Sequence, residues 1–79
     1  MEINLKNFPT KESLLSLFAN TFEEMHSKNY DALIDVLTSL NYELTIKFTN
    51  KNHYLDITNL IEIFDIISIE NPKIKCYWI

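Results

Sequence analysis

The sequence predicts a small α/β domain in which helices pack against a three-stranded parallel sheet. Three short segments alternate apolar and polar residues, as half-buried strands do, and three longer segments repeat apolar residues at helical spacing. The order is strand, two helices, strand, helix, strand, and strands that helices separate usually run parallel through right-handed crossovers. We expect residues 1–79 to form one domain of two or three layers, while the strand order does not follow from the sequence.

The first strand and the first helix are predicted from the segment before residue 25. Ile3 and Leu5 alternate with polar residues, which indicates a short strand within residues 1–8. Thr10 is the expected N-cap of a helix that ends near Glu24. The apolar positions of this helix are Leu14, Leu15, Phe18 and Phe22.

The second helix and the second strand follow. Asn29 is the expected N-cap of the helix, because an asparagine side chain satisfies free backbone N–H groups there. The apolar stripe of the helix consists of Leu33, Leu37 and Leu40, widened by Ile34 and Val36. Residues 42–48 alternate strictly and predict a strand, and residues 49–54 are polar and predict a loop.

The last helix and the last strand complete the domain. Residues 56–70 carry apolar side chains at helical spacing, so we predict a helix although the many isoleucines favour a strand. Pro72 ends this helix, and residues 73–79 alternate as a strand. Nine asparagines take the place of glycine as turn formers, since asparagine tolerates a positive φ angle better than most residues.

The composition excludes several classes of function. Glycine is absent, which excludes phosphate-binding loops, and arginine is absent, which removes the bidentate donor for phosphate and guanine. The formal net charge of -4 makes direct nucleic-acid binding unfavourable. The single cysteine, Cys76, forms no intramolecular disulfide. With no leader pattern and no apolar stretch long enough for a bilayer, we expect a cytoplasmic protein that has no membrane contact and no cofactor.

Enzyme chemistry has little support in the sequence. His26, His53 and Cys76 are far apart along the chain, and nothing indicates a nucleophile with its base. Glu23 and His26 have the spacing of two metal ligands on a helix, but a stable site needs three or four. We therefore expect neither catalysis nor a metal site.

Asp31 and Asp35 lie four residues apart on one face of the predicted second helix. Two carboxylates at this spacing repel each other, and Asp35 is too far along the helix to gain much from its dipole. Three interpretations remain open. The pair is a solvated acidic face, or a general acid and base in a pocket, or a recognition surface for a cationic partner.

Residues 29–38 resemble the second-helix signature of the barstar family, small intracellular inhibitors of secreted ribonucleases. The family pattern is Asn, an apolar residue, Asp-Ala-Leu, a large residue, Asp, a small residue, Leu. This sequence matches it at Asn29, Asp31, Ala32, Leu33, Asp35 and Leu37. The family's order of strands and helices also agrees with the predicted order over essentially the whole chain, so the resemblance implies a barstar-like fold.

The resemblance implies inhibition by mimicry of substrate phosphate. In this family the second helix and the loop before it plug the active site of the nuclease, and Asp35 matches the aspartate that faces the enzyme's cations. Asp31 matches a second acidic contact, Asn29 the junction of loop and helix, and Glu70 a flanking acid. Met25 and His26 are expected to add shape and apolar contact. The implied protein is an immunity protein for a basic, extracellular-type ribonuclease or related toxin, and it is not an enzyme.

Two further functions are compatible with the sequence. The first is a non-inhibitory protein–protein interaction or regulatory module with a barstar-like fold, which uses the isoleucine-rich last helix or an exposed sheet edge. The second is a small hydrolase built on Asp31 and Asp35, which would require raised carboxyl pKa values in a pocket. The oligomeric state is not predicted.

Overall fold

The computed structural model describes residues 1–79 and contains one parallel sheet of three strands. The strands lie in the order β1-β2-β3. Their bounds are Glu2–Asn4 for β1, Leu44–Thr49 for β2 and Ile74–Trp78 for β3. Helices α1 (Lys11–Thr21) and α2 (Tyr30–Thr38) connect β1 to β2, and α3 (Ile57–Glu70) connects β2 to β3. The predicted element order and the parallel sheet are confirmed.

The helices cover only one face of the sheet. Ile3, Ile46 and Ile74 are buried beneath the helices, whereas Lys47 and Tyr77, on the opposite face, are exposed. Right-handed crossovers in the order β1-β2-β3 bring every connecting helix to the same side, so the fold has two layers. Parallel sheets are usually covered on both faces, and the polar alternation in these strands is what permits an open face here.

An aromatic cluster joins the sheet to the helices. The rings of Phe48 and Trp78 stack with their centroids 4.4 Å apart. Phe64 of α3 meets Phe48 edge-on at 5.2 Å, and Phe18 of α1 lies 6.0 Å from Phe64. Offset and edge-on contacts of this kind stabilise a core beyond the area they bury. The cluster thus locks the packing of the helices on the sheet in a chain too short for a large core.

The start of α1 is as predicted, and its end comes earlier. Thr10 caps the helix in a capping box with Ser13, whose backbone N–H donates to the Thr10 hydroxyl at 3.2 Å. The helix ends at Thr21 rather than near Glu24, because Phe22 leaves the helical conformation at the C-cap. The N–H of Met25 then donates to the carbonyl of Phe22 at 3.0 Å, and this turn directs Met25 into the core.

The loop after β2 contains one turn of 3-10 helix, Lys51–His53, which the sequence prediction missed. Asn50 precedes it with φ of 56°, the only positive φ angle in the chain, and shows the expected substitution of asparagine for glycine. Its side-chain amide donates to Asn4 Oδ1 at 2.7 Å, which joins the ends of β1 and β2.

Helix α3 agrees with its predicted bounds to within one residue. Its buried stripe consists of Leu60, Ile63, Phe64 and Ile67. None of the helices combines the length and the hydropathy that crossing a lipid bilayer requires.

Candidate functional site

Helix α2 carries the two aspartates that the sequence singles out. Asn29 is its N-cap, as predicted, and Asn29 Oδ1 accepts a hydrogen bond of 2.7 Å from the N–H of Ala32. Leu33 and Leu37 are fully buried on the inner side of the helix. Asp31 and Asp35 are exposed on the outer side, and their carboxylates take part in none of the side-chain hydrogen bonds of the protein.

The first turn of α2 is held by a pair of phenols. The hydroxyls of Tyr30 and Tyr54 lie 2.9 Å apart and share a hydrogen bond. The Lys11 ammonium lies 5.1 Å from the centroid of the Tyr30 ring, which adds a cation–π contact from α1. Burial is the main cause that raises the pKa of both phenols above the ordinary value of 10.0.

The last turn of α2 is held by one buried amide. Asn71 Nδ2 donates to the carbonyl oxygens of Leu37 at 2.9 Å and Leu40 at 3.0 Å. Leu37 lies in the last turn of α2 and Leu40 just beyond it, where carbonyl groups lack the full set of partners that a continuing helix would give. With both ends fixed, α2 presents Asp31 and Asp35 on a rigid support.

A groove lies between α2 and the connection that precedes it. Its volume is about 380 Å³. The residues that line it are Glu24, His26, Ser27, Asn29, Asp31, Ala32, Asp35 and Val36. We call it the acidic groove, because three of its side chains carry a carboxylate and His26 is its only basic group. The structure thus brings Asp31, Asp35, Asn29 and His26 together in one place.

A second cavity adjoins the acidic groove along the C-terminal half of α2. Its volume is about 400 Å³. The residues that line it are Glu24, Asp35, Val36, Ser39, Leu40, Asn41 and Tyr42. We call it the Tyr42 cleft. Glu24, Asp35 and Val36 line both cavities, so the two form one continuous depression.

Two of the sequence-predicted residues lie outside this depression. Met25 is only 6% exposed and belongs to the core, so it supports the connection from behind and offers no apolar surface. Glu70 is exposed at the C-terminal end of α3. It precedes Asn71, which contacts the end of α2, but it lines neither cavity. Asn29 lines the groove while its side chain caps the helix.

Glu24 and Tyr42 are two lining residues that sequence reasoning missed. The sequence predicts that the first helix ends near Glu24, and only its earlier end at Thr21 brings Glu24 beside α2. Tyr42 had been assigned to the second strand, which in fact begins at Leu44, so Tyr42 lies in the connection and its side chain is 52% exposed. The sequence carries no signal for Tyr42, because its exposure follows only from its place in the connection before β2.

Charge is distributed unevenly between the two layers. The three helices contain six acidic residues and one lysine: Glu12, Asp31, Asp35, Glu62, Asp65 and Glu70, with Lys11. The open face of the sheet carries Lys47 and Lys75 beside a single acid, Glu2. Among the regular elements, negative charge therefore lies mainly on the helices, which include α2 beside the acidic groove.

The other reactive side chains are dispersed. Cys76 faces α3, where its thiol contacts the side chain of Ser68. Burial raises the pKa of the Cys76 thiol to about 12. His53 is exposed in the 3-10 turn and lines a different cavity from that of His26. No group of three or more His, Cys, Asp or Glu side chains is arranged to hold a metal ion.

The sequence matches no protein-family model and no curated protein. The chemistry of the acidic groove and the Tyr42 cleft is therefore the ground for assigning a function.

Proposed function

We propose that the protein is a barstar-like cytoplasmic inhibitor, an immunity protein, of a basic ribonuclease or related toxin. The observation that carries the proposal is the exposure of Asp31 and Asp35 in one groove on a helix fixed at both ends. A nuclease active site is cationic because it binds phosphate, and a rigid pair of carboxylates is complementary to such a site.

The proposed mechanism is mimicry of a substrate phosphate. The Asp35 carboxylate takes the position of the phosphate and accepts hydrogen bonds from the enzyme's cationic side chains, while Asp31 makes a second contact one turn earlier. Charge-assisted hydrogen bonds of this kind are about twice as strong as neutral ones. Because α2 is already ordered, little conformational entropy is lost when the groove closes on the enzyme.

The neighbouring residues have different parts in this proposal. His26 and Asn29 line the groove beside the aspartates, and Glu70 is a flanking acid beyond the end of α2. Met25 shapes the connection from the core side and makes no direct contact. No catalytic group and no cofactor is needed, because the protein acts by occupying the enzyme's site.

The test is a titration against a panel of small basic microbial ribonucleases at low and physiological salt. We expect one member to lose RNase activity in proportion to added protein, with an affinity that weakens as salt rises. Asp35→Ala should weaken that inhibition. Tight binding that Asp35→Ala leaves unchanged would contradict the mimicry, and the absence of inhibition across the panel would contradict the nuclease target.

A non-inhibitory interaction module is the second candidate. It is favoured by two exposed isoleucines on α3, Ile66 at 45% and Ile69 at 80%, and by the uncovered face of the sheet. The other isoleucines of α3 are buried or half-buried, so its freely exposed apolar area is limited to these two side chains. Sedimentation analysis over a range of concentrations distinguishes the candidates. Dimerisation that Ile69→Lys abolishes would favour the interaction module.

A further inference from the structure

We infer that the Tyr42 cleft binds a single arginine side chain of the partner protein. This inference rests on the proposed function only in taking the partner to be a basic protein. The cleft runs along the C-terminal half of α2 into the connection before β2, and its volume is about 400 Å³. Ligand clefts range from roughly 300 to 1,000 Å³, so this one suits a side chain and not a folded element.

Helix α2 forms one wall of the cleft, and this wall fits the methylene chain of a long side chain. Leu40 lines it with half-buried apolar surface, and Val36, only 8% exposed, lies behind that surface. Arginine and lysine bury their methylene stems on such surfaces while the charged end reaches polar groups. The cleft therefore combines an apolar wall for the methylene stem with the negative charge that attracts a cationic side chain.

Two carboxylates from different elements are positioned to bind the guanidinium group of the arginine. Glu24 belongs to the connection between α1 and α2, and Asp35 belongs to α2 itself. Both are exposed, and neither carboxylate accepts a side-chain hydrogen bond within the protein. A guanidinium has five N–H donors in a fixed plane and can bind two carboxylates at once, whereas an ammonium is a compact point charge. This pairing favours arginine over lysine.

The Tyr42 ring supplies a third contact. Tyr42 lines the cleft and is 52% exposed, so part of its side chain is available to a planar cation. Guanidinium groups stack on aromatic faces more readily than ammonium groups do. The chain itself has no arginine that could fill the cleft from within.

The joined cavities explain how a partner would reach this position. The cleft opens into the acidic groove through Glu24, Asp35 and Val36, which line both. A basic protein bound at Asp31 and Asp35 would therefore lie next to the Tyr42 cleft, which has room for one arginine side chain. Asp35 and Glu24 would be shared between the two contacts, and Tyr42 would be specific to the arginine.

The inference is tested first with a small probe and NMR. N-acetyl-arginine amide is titrated into the labelled protein, with the citrulline compound as an uncharged isostere and the lysine compound as a charged one. We expect saturable shifts of the Ser39, Asn41 and Tyr42 amides with arginine, weaker shifts with lysine and none with citrulline. Shifts of equal size with citrulline, shifts at every acidic residue alike, or no shifts would overturn the inference.

Variants then assign the contacts. Glu24→Gln and Tyr42→Ala should each weaken arginine binding by roughly fivefold or more, while Tyr42→Phe keeps the ring and should keep the binding. Glu62→Gln, which removes the same charge from α3, is the matched control and should leave binding unchanged. Equal weakening in the Glu62 control would mean that net charge alone attracts the probe, and the inference would fail.

The same variants separate this inference from the proposed function. A nuclease that is inhibited equally by the native protein, Glu24→Gln and Tyr42→Ala would overturn the arginine site and leave the inhibitor function standing. Arginine binding in the cleft without inhibition of any nuclease would support the site and count against the nuclease target.

Discussion

The side-chain amide of Asn71 donates a hydrogen bond of 2.9 Å to the carbonyl oxygen of Leu37 and so joins the end of α3 to the end of α2. Asn71 is 7% exposed and is the only polar residue among the buried ones. Together with the hydrogen bond between Tyr30 and Tyr54 at the opposite end, it fixes the helix that carries Asp31 and Asp35. The candidate site therefore depends on two polar contacts that lie beneath it.

Asn71→Ala should destabilise the fold by roughly 1–3 kcal/mol, because the carbonyls of Leu37 and Leu40 lose a side-chain donor. Urea unfolding followed by circular dichroism measures the difference. Asn20→Ala, an exposed asparagine in α1, is the matched control and should change the free energy of unfolding by less than about 0.5 kcal/mol. An Asn71 variant as stable as this control would mean that the amide does not hold α2.

Stability should fall at alkaline pH because of the tyrosine pair. Burial raises the pKa of Tyr54 and of Tyr30 above the ordinary value of 10.0. The unfolded chain therefore releases these protons first, and the free energy of unfolding decreases as the pH rises above 10.0. Tyr54→Phe should make this decrease shallower, as measured by urea unfolding at a series of pH values. Tyr77→Phe, on the open face of the sheet, serves as the control, and equal slopes in both variants would contradict the assignment.

Cys76 should react slowly with thiol reagents in the folded protein. Burial raises the pKa of its thiol from 9.0 to about 12, and the thiolate is the reactive form. We expect alkylation at mildly alkaline pH to be at least roughly tenfold slower than in the urea-unfolded chain. Mass spectrometry of samples quenched over time gives both rates. Equal rates would show that β3 separates from α3 under native conditions.

Asn29 should act on binding through the helix that it caps. Asn29→Ala removes the acceptor for the Ala32 N–H and should cost about 1 kcal/mol of stability. Asn29→Asp keeps an acceptor at the cap and should keep the stability, as thermal unfolding of both variants would show. If Asn29 contacts the partner directly, Asn29→Asp should weaken inhibition despite its stable fold. If it acts only as the cap, that variant should inhibit normally.

The periodicity of the sequence was sufficient to predict the elements and the parallel sheet. Alternation at Leu44, Ile46 and Phe48 marks the face of β2 that packs under the helices, and helical spacing marks α3 despite its isoleucines. The strand order and the number of layers were not predictable, because a local pattern does not reveal which strands are neighbours. The open face of the sheet follows only from the order β1-β2-β3.

Only part of the candidate site was predictable, because periodicity places residues within one helix but does not show which connections approach it. Asp31, Asp35 and the Asn29 cap are read from one continuous helix, so their relative positions follow from its geometry. Glu24 and Tyr42 come from connections on either side of α2, and their approach depends on where α1 ends and where β2 begins. The burial of Met25 depends on the same turn after Phe22, which the helical pattern alone does not predict.

The most direct test of the central claim compares Asp35→Asn with Asp65→Asn in the inhibition of a basic ribonuclease. Both variants remove one negative charge from an exposed position, but only Asp35 lines the acidic groove and the Tyr42 cleft. The account predicts that Asp35→Asn raises the inhibition constant by roughly tenfold or more, while Asp65→Asn changes it by less than about twofold. Equal effects of the two substitutions would contradict the account, because the attraction would then come from net charge and not from the groove.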